Sequence, residues 1–316
     1  MLVEPSVVRG ESGFECAVEE RRTEGSRILT GVVRGERLVL DAAPFAASMA
    51  WEAGSVGTPA LARVEGRMTL FYEGGVAGGI GRATRGPAGF ERESSPVLVA
   101  RETFEEGRVG APAVGEGVLL YEAGRAATDA GNVCSRDAEC GGALQRCRGG
   151  RCRAMPRVIG QVALAALGGP RTVALDPERV RSGDAGREDG TPLWGDLQGV
   201  GSPGVVGLTT REGEHITLLF FTGIGRERAD VALNPSLGLA LGVSSASAPA
   251  TLRGYPYNPV LGESVLFTSP VGESGASPFL LDGASTPGSA ASLRVVFERI
   301  EPNGAPGGLR IARPER

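Results

Sequence analysis

Glutamates recur at the ends of short apolar segments in this chain, and carboxylates brought together could bind sugar hydroxyls, a cation or a basic group. Glu73 closes the segment 68–73, Glu122 closes 118–122, and Glu4 stands directly before a proline. Hydrolysis of a glycosidic bond needs two carboxyl groups, one as an acid and one as a base or nucleophile. Glu4, Glu73 and Glu122 are therefore the candidate catalytic residues.

A small or polar residue followed by proline and a short apolar run recurs along the chain. The five copies are Glu4-Pro5, Thr58-Pro59, Ala111-Pro112, Ser202-Pro203 and Ser277-Pro278. Proline suits the first residue of a strand, where no N–H has to be donated to a neighbour. Each phrase is followed by a second segment rich in β-branched and aromatic residues, which favours another strand. We interpret the phrase as the start of a repeated unit.

Two further segments complete each unit. A third has the form Ile/Leu-Gly-x-Ala/Val, as in 80–83, 159–162 and 237–240, and a fourth ends in Pro-Val-Leu, as in 96–98 and 259–261. Four-stranded units repeated around an axis form a β-propeller. We predict an all-β fold, a five-bladed β-propeller of four-stranded blades, as a single domain over 1–316. The expected blades are about 4–47, 58–99, 111–177, 202–261 and 277–316.

The last unit ends soon after its third segment, at Arg316. Its fourth strand is therefore expected to be missing or to come from residues outside this sequence.

This fold would bring two rings of residues to one mouth of the central axis. The first ring holds the residues before each proline, and the second holds Glu19 or Glu20, Glu73, Glu122, Thr222 and Glu298. Aromatic residues that enter each unit, such as Trp51, Phe104, Trp194 and Phe267, would offer rings for stacking on a sugar. The predicted ligand-binding residues are Glu4, Thr58, Ser202, Ser277, Glu73, Glu122, Trp51 and Trp194. Two alternatives stay open: the aromatic residues as wedges between blades, and the glutamates as solvated turn residues.

Four of the five cysteines fall in one short segment, Cys134, Cys140, Cys147 and Cys152. The segment has almost no large apolar side chains, so disulfides would have to supply its order. Zinc sites favour ligand pairs two to four residues apart, which these spacings fit poorly, and no metal site is expected. We predict a disulfide knot at 131–154, inserted in blade 3, with 134–147 and 140–152 as the hypothesised pairs among three possible connectivities. Cys16, in an alternating apolar segment, is expected to be a buried thiol.

The composition of the chain excludes some classes of partner and favours a location outside the cytoplasm. The net charge is −4 with both signs interspersed and no basic stripe, so no nucleic acid partner is expected. No apolar run is long enough to span a membrane, and residues 1–5 lack a signal-peptide pattern. The single histidine, His215, argues against a Ser-His-Asp triad, and no phosphate-loop motif indicates a cofactor. The cysteines favour an extracellular, periplasmic or outer-surface location, and we expect a monomer.

The phrase 71–84, continued by 96–98, resembles the repeat of the arabinanase, levansucrase and invertase-like five-bladed propellers, and 194–222 repeats the likeness. The Cys-rich segment resembles short inserts of secreted proteins from myxobacterial-type soil bacteria. The first resemblance implies a glycosidase-like fold with carboxylates before the inner-strand prolines. Glu4 matches the first such position, whereas Thr58 and Ala111 hold the next two.

The resemblance and these substitutions together predict a carbohydrate-binding propeller that has lost catalysis. Two alternatives remain: an active glycoside hydrolase with displaced carboxylates, and a protein-interaction or structural scaffold without a sugar site. The sequence leaves the ligand undetermined.

Overall fold

A computed structural model gives the fold of this chain. It describes residues 2–9, 13–34, 37–75, 78–115, 117–124, 132–135, 139–140, 145–148, 151–154, 158–182, 197–209, 214–225, 236–244, 251–256, 267–268, 274–282, 293–300 and 306–314. Within these residues the architecture is almost entirely antiparallel β-sheet.

The strands form five four-stranded sheets and one two-stranded hairpin. The first sheet holds β1 (Leu2–Arg9), β2 (Phe14–Arg22), β3 (Gly25–Arg34) and β4 (Arg37–Leu40). The second holds β5 (Val56–Val64), β6 (Arg67–Gly74), β7 (Ile80–Gly86) and β8 (Gly89–Arg92). The third contains β9 (Val109–Val114), β10 (Val118–Ala123), β13 (Val158–Ala163) and β14 (Arg171–Leu175). The fourth contains β15 (Leu197–Thr209), β16 (His215–Gly225), β17 (Ser236–Ser244) and β18 (Arg253–Gly254). The fifth comprises β19 (Phe267–Thr268), β20 (Ser274–Asp282), β21 (Leu293–Ile300) and β22 (Pro306–Pro314).

The predicted all-β propeller of four-stranded blades is confirmed. In four blades the strands follow one another in chain order from the inner to the outer strand, as predicted. The prediction of five such blades is wrong. The fifth sheet has the order β19-β22-β21-β20, so its fourth strand precedes the other three in the chain. The expectation that this strand would be missing or come from outside the sequence is therefore also wrong. The two-residue strand β19 carries too weak a pattern to be recognised from sequence.

The inner strands meet around a common axis. β1 contacts β5, β5 contacts β9, β9 contacts β15 and β15 contacts β20, and β20 in turn contacts β1. Apolar side chains fill the spaces between neighbouring blades, with Tyr72 and Leu70 packing against the first blade and Phe221 and Leu219 against the third. This packing fixes the position of each inner strand relative to the axis.

Each recurrent proline marks a bulge in an inner strand. The preceding residues Glu4, Thr58, Ala111 and Ser202 have φ values of 51°, 45°, 40° and 44°. The strand register shifts at each of these positions, and it shifts again between Ala276 and Phe279 in the fifth sheet. Left-handed backbone is costly for residues other than glycine, so its repetition requires compensating contacts. Those contacts come from the neighbouring blades.

The glycine of the third-strand motif makes room for an aromatic ring on the second strand. Gly81 pairs with Tyr72, Gly160 with Tyr121 and Gly238 with Phe221. A Cβ on these glycines would lie 2.3, 2.5 and 2.2 Å from the nearest ring atom. The motif is therefore a packing requirement of the blade.

Replacing Gly81 with alanine is expected to lower the free energy of unfolding by about 1–3 kcal/mol, because the added methyl would force the buried Tyr72 ring to move. Gly168→Ala is the matched control, since a Cβ there meets no atom within 4 Å. Urea unfolding of both variants measures the difference. Equal stability of the two variants would show that the Tyr72 ring does not set the requirement for glycine.

Three short helical segments connect blades on the mouth side: the 3-10 turns at Ala50–Glu52 and Thr103–Glu105, and α1 at Pro177–Ser182. A further 3-10 turn at Leu164–Ala166 joins β13 to β14 within blade 3. Among the residues that the structure describes, no helix has the length and apolarity needed to cross a membrane.

The Cys-rich insert leaves blade 3 between β10 and β13. It contains the hairpin of β11 (Gln145–Arg148) and β12 (Arg151–Ala154). Cys140 and Cys152 form a disulfide, which confirms that predicted pair. Cys134 is also disulfide-bonded, and the side chain of its predicted partner, Cys147, lies outside the described residues. Cys16 is buried, as expected, and burial raises the pKa of its thiol to about 11.

Candidate functional site

The predicted second ring exists as one register position repeated in four blades and in the fifth sheet. Glu19 pairs with Val3, Glu73 with Gly57, Glu122 with Gly110, Thr222 with Gly201 and Glu298 with Ala276. In every case the partner directly precedes the bulged residue before proline. The register thus selects Glu19 over Glu20 for blade 1. Because these positions adjoin the bulges, the two predicted rings lie side by side.

Three glutamates of this ring, Glu19, Glu73 and Glu122, each reach the bulge of the next blade. Glu19 Oε2 accepts a hydrogen bond from the Thr58 N–H at 2.9 Å, and Glu73 Oε2 accepts one from the Ala111 N–H at 3.1 Å. Glu122 Oε1 accepts bonds from the N–H of Ser202 at 2.6 Å and from its hydroxyl at 3.0 Å. These bonds join the second strand of one blade to the inner strand of the next and compensate for the left-handed backbone at the bulges of Thr58, Ala111 and Ser202. We call Glu19, Glu73 and Glu122 the carboxylate clamp.

Two buried arginines supply counter-charge to the clamp. Arg21 lies 2.8 Å from Glu19 through Nε and 3.0 Å from Glu4 through Nη2. Arg108 lies 3.2 Å from Glu73 through Nη2 and 3.6 Å from Glu122 through Nη1. The arginines come from unrelated places in their repeats, since Arg21 lies in the last part of β2 and Arg108 directly precedes β9. Neither was recognised from the sequence, because no repeat position predicts them.

The clamp and the bulges are almost free of solvent contact. Glu19, Glu73 and Glu122 are at most 1% exposed, and Glu4, Thr58, Ala111 and Ser202 are between 3% and 5% exposed. A buried ionised carboxylate is stable only where charges and hydrogen-bond donors surround it, as they do here. The arrangement suits joining of blades, and it leaves these carboxylates little access to a substrate.

A second set of buried glutamates escaped the sequence analysis. Glu52 and Glu105 each end a 3-10 turn between blades and accept bonds from two backbone N–H groups of that turn. The Tyr72 hydroxyl donates to Glu52 at 2.8 Å, and the Tyr121 hydroxyl donates to Glu105 at 2.7 Å. The signal was present, because both glutamates directly follow an aromatic residue that leads into a repeat.

An arginine from the outer strand completes each of these clusters. Arg92 Nε lies 3.2 Å from Glu52, and Arg171 Nη1 lies 2.9 Å from Glu105. Arg92 also packs its guanidinium over the Phe45 ring, 3.5 Å from the centroid. Blades 2 and 3 are thus tied from their second strand to their outer strand by a Glu–Tyr–Arg cluster.

The electrostatics of these clusters follow from burial and charge. Burial raises the pKa of the Tyr121 hydroxyl, and the hydrogen bond to Glu105 raises it further. Burial alone would raise the pKa of Glu105, but hydrogen-bond donors have the larger effect and lower that pKa below the ordinary 4.5. The donors are the backbone N–H groups of Arg101 and Glu102, the Tyr121 hydroxyl and the Arg171 guanidinium. Glu105 is therefore an ionised structural carboxylate at neutral pH.

Trp51 packs at the junction of blades 1 and 2. Its ring stacks on Tyr72 with centroids 5.8 Å apart, and it lies against Gly74. Its indole Nε1 is buried without a hydrogen-bond partner. This placement agrees with the alternative in which the aromatic residues are wedges between blades.

Two predicted site residues cannot be placed fully. Trp194 lies outside the described residues, and Ser277 lies in β20 beside its register shift, with its side chain outside them. The contribution of these two residues to ligand binding stays a prediction.

Among the residues that the structure describes, one group of acidic, cysteine or histidine side chains is close enough together to hold a metal ion: Cys134, Cys140 and Cys152. All three sulfurs are in disulfides. They are therefore not available as thiolate ligands in this state.

Comparison with known proteins places the fold. No protein-family model matches the chain, and no curated protein is similar to it in sequence. The structure is similar to an α-L-arabinofuranosidase from Lactobacillus brevis, with a TM-score of 0.56, 11% identity and coverage of 99% of this chain and 90% of that one. It is also similar to the Cellvibrio cellulosa α-L-arabinanase complexed with arabinohexaose, with a TM-score of 0.53, 13% identity and coverage of 99% and 95%. A thermostable family-43 glycoside hydrolase gives a TM-score of 0.51, 14% identity and coverage of 100% and 89%. At these identities the likeness establishes the propeller fold.

Proposed function

We propose that this chain is a catalytically inactive propeller of the glycosidase type that binds carbohydrate outside the cell. The fold likeness to arabinan-degrading enzymes supports the relationship. The disulfide between Cys140 and Cys152 supports an oxidising location, extracellular, periplasmic or on the outer surface. We further propose that the protein is a monomer, because the inner strands of one chain surround the axis, with β20 in contact with both β15 and β1.

The observation that carries the loss of catalysis is the environment of Glu73. Its Oε2 accepts the Ala111 N–H, its Oε1 faces Arg108, and the residue has no solvent exposure. Glycosidases hold two carboxyl groups on either side of the scissile bond, about 5–9.5 Å apart. Thr58 and Ala111 occupy two of the bulge positions where the family resemblance would put carboxylates, and neither can act as an acid or base.

A protein-interaction scaffold without a sugar site is the second candidate. It is favoured by the burial of the bulge residues Thr58, Ala111 and Ser202, which leaves these predicted positions little surface for a ligand.

Two assays on the same preparation test the proposal. In the first, the wild-type protein should bind to a glycan array. In the second, it should hydrolyse arabino-, xylo- and fructo-oligosaccharides no faster than a Glu73→Gln/Glu122→Gln variant does. Cleavage that disappears in this variant, while its melting curve shows that it is still folded, would establish an active hydrolase. The absence of binding to any glycan, neutral or acidic, would favour the scaffold.

A further inference from the structure

The Cys-rich hairpin carries an unusual arrangement of charge. In its register Arg146 pairs with Arg153 and Arg148 pairs with Arg151, on either side of the pair Cys147–Cys152. Residues directly opposite in an antiparallel pair share a face, and neighbours along a strand alternate between faces. The backbone therefore places all four arginines on one face of the ribbon and both cysteines on the other. We call these four residues the arginine face.

The opposite face is covered by the insert itself. Cys152 is 1% exposed, is bonded to Cys140, and donates its N–H to the Asn132 carbonyl at 3.0 Å. The disulfide and this hydrogen bond hold β12 against the rest of the insert. With the cysteine face held to the insert, the arginine face is the face of the ribbon that is left for a ligand.

The hairpin leaves the propeller on the mouth side of blade 3. Ala123 at the end of β10 pairs with Val158 at the start of β13 and with Val109 at the start of the inner strand β9. The bulge at Ala111 lies in the same part of that strand. The insert is thus attached at the end of the blade where the inner strands begin.

The register of the hairpin sets arginine opposite arginine, so no acidic residue pairs with an arginine within β11 and β12. Like charges directly opposite each other destabilise a strand pair, and here two arginine pairs adjoin. Residues 131–154 contain five arginines and two acidic residues, a net charge of +3 in a chain of net charge −4. An external anion would relieve the repulsion.

We propose that the arginine face binds an acidic polysaccharide through its carboxylate or sulfate groups. Arginine matches such groups with paired N–H donors, and the four Cα positions span about 5 by 7 Å, close enough for neighbouring anionic groups of one chain. We take a polysaccharide rather than nucleic acid as the polyanion because the fold likeness is to an arabinofuranosidase and an arabinanase. This inference rests on the proposed carbohydrate-binding function and names its ligand class.

The test is binding to polygalacturonate, with chondroitin sulfate as a sulfated probe and neutral galactan and a DNA duplex for comparison. Wild-type protein is expected to bind an acidic polysaccharide, more weakly as salt is raised. A variant with Arg146, Arg148, Arg151 and Arg153 changed to glutamine should bind at least about tenfold more weakly, since each charged hydrogen bond is worth that factor. The matched control changes the exposed Arg34, Arg63, Arg67 and Arg253 to glutamine and loses the same total charge. It should retain wild-type affinity.

A free-thiol count and a melting curve establish that both variants keep their disulfides and fold. If the four-site variant does not fold, the pair Arg146→Gln/Arg153→Gln gives the same comparison. Equal losses in the test and control variants, or equally tight binding of DNA, would overturn the arginine face as a glycan site. Binding of neutral glycans alone would overturn this inference and leave the proposed function standing, whereas no glycan binding at all would count against both.

Discussion

Replacing Arg108 with methionine is expected to lower the free energy of unfolding by about 3–5 kcal/mol, one of the largest effects of any single substitution in this chain. Arg108 is 1% exposed and is the cation shared by Glu73 and Glu122, which are equally buried. Methionine keeps much of the side-chain volume, so the loss reports the two carboxylates left without their counter-charge.

Urea unfolding at pH 7 measures this loss, with Arg67→Met as the control. Arg67 is exposed, and its replacement should change stability by less than about 0.5 kcal/mol. Arg108→Ser is a second variant that also removes the counter-charge. Serine is chosen because Ser55 directly precedes the inner strand of blade 2, as Arg108 precedes that of blade 3. If Arg108→Met were as stable as Arg67→Met, neutralisation of the clamp by Arg108 would be refuted.

Replacing Glu105 with glutamine is expected to destabilise the protein by a similar amount, about 3–5 kcal/mol at pH 7. The change keeps the shape but leaves the buried Arg171 guanidinium without its carboxylate. It also sets an amide N–H₂ against the N–H groups of Arg101 or Glu102, or against the Tyr121 hydroxyl. Glu106→Gln, at the exposed neighbouring position, is the matched control.

The same variant should change how stability depends on pH. Because the folded-state pKa of Glu105 is lowered from 4.5, its ionisation stabilises the fold above about pH 4.5, and that stability is lost as the pH falls through the folded value. The gap between wild type and Glu105→Gln should therefore be widest near neutral pH and should narrow below about pH 4.5. A gap that stays constant down to pH 3 would mean that the carboxylate of Glu105 is not the source of the stability.

The repeat could be recognised from the sequence because the residues that mark it act over short distances along the chain. The prolines at the bulges and the Gly81-type motif each serve a requirement inside one blade, so four blades and the clamp positions Glu73 and Glu122 could be predicted. The function of those positions could not. A glutamate that would face a ligand and one that bonds to the next blade's bulge have the same sequence pattern, and only the structure shows the Ala111 and Ser202 amides bonded to them.

The features that sequence analysis missed depend on long-range pairing. Arg108 reaches Glu73 from the blade junction, and Arg171 reaches Glu105 across 66 residues. The outer strand of the fifth sheet is only two residues long and lies before the strands it joins. The arginine face is an intermediate case: its residues stand out in the sequence, but their common face depends on the hairpin register.

The central claim is that the axial carboxylates join the blades, and a double-mutant cycle between Glu73 and Arg108 tests it most directly. Unfolding free energies of wild type, Glu73→Gln, Arg108→Met and the double variant give the coupling energy. We expect about 2–3 kcal/mol, because the two side chains lie 3.2 Å apart without solvent contact. A coupling below about 0.5 kcal/mol, within the additivity of independent sites, would contradict the claim.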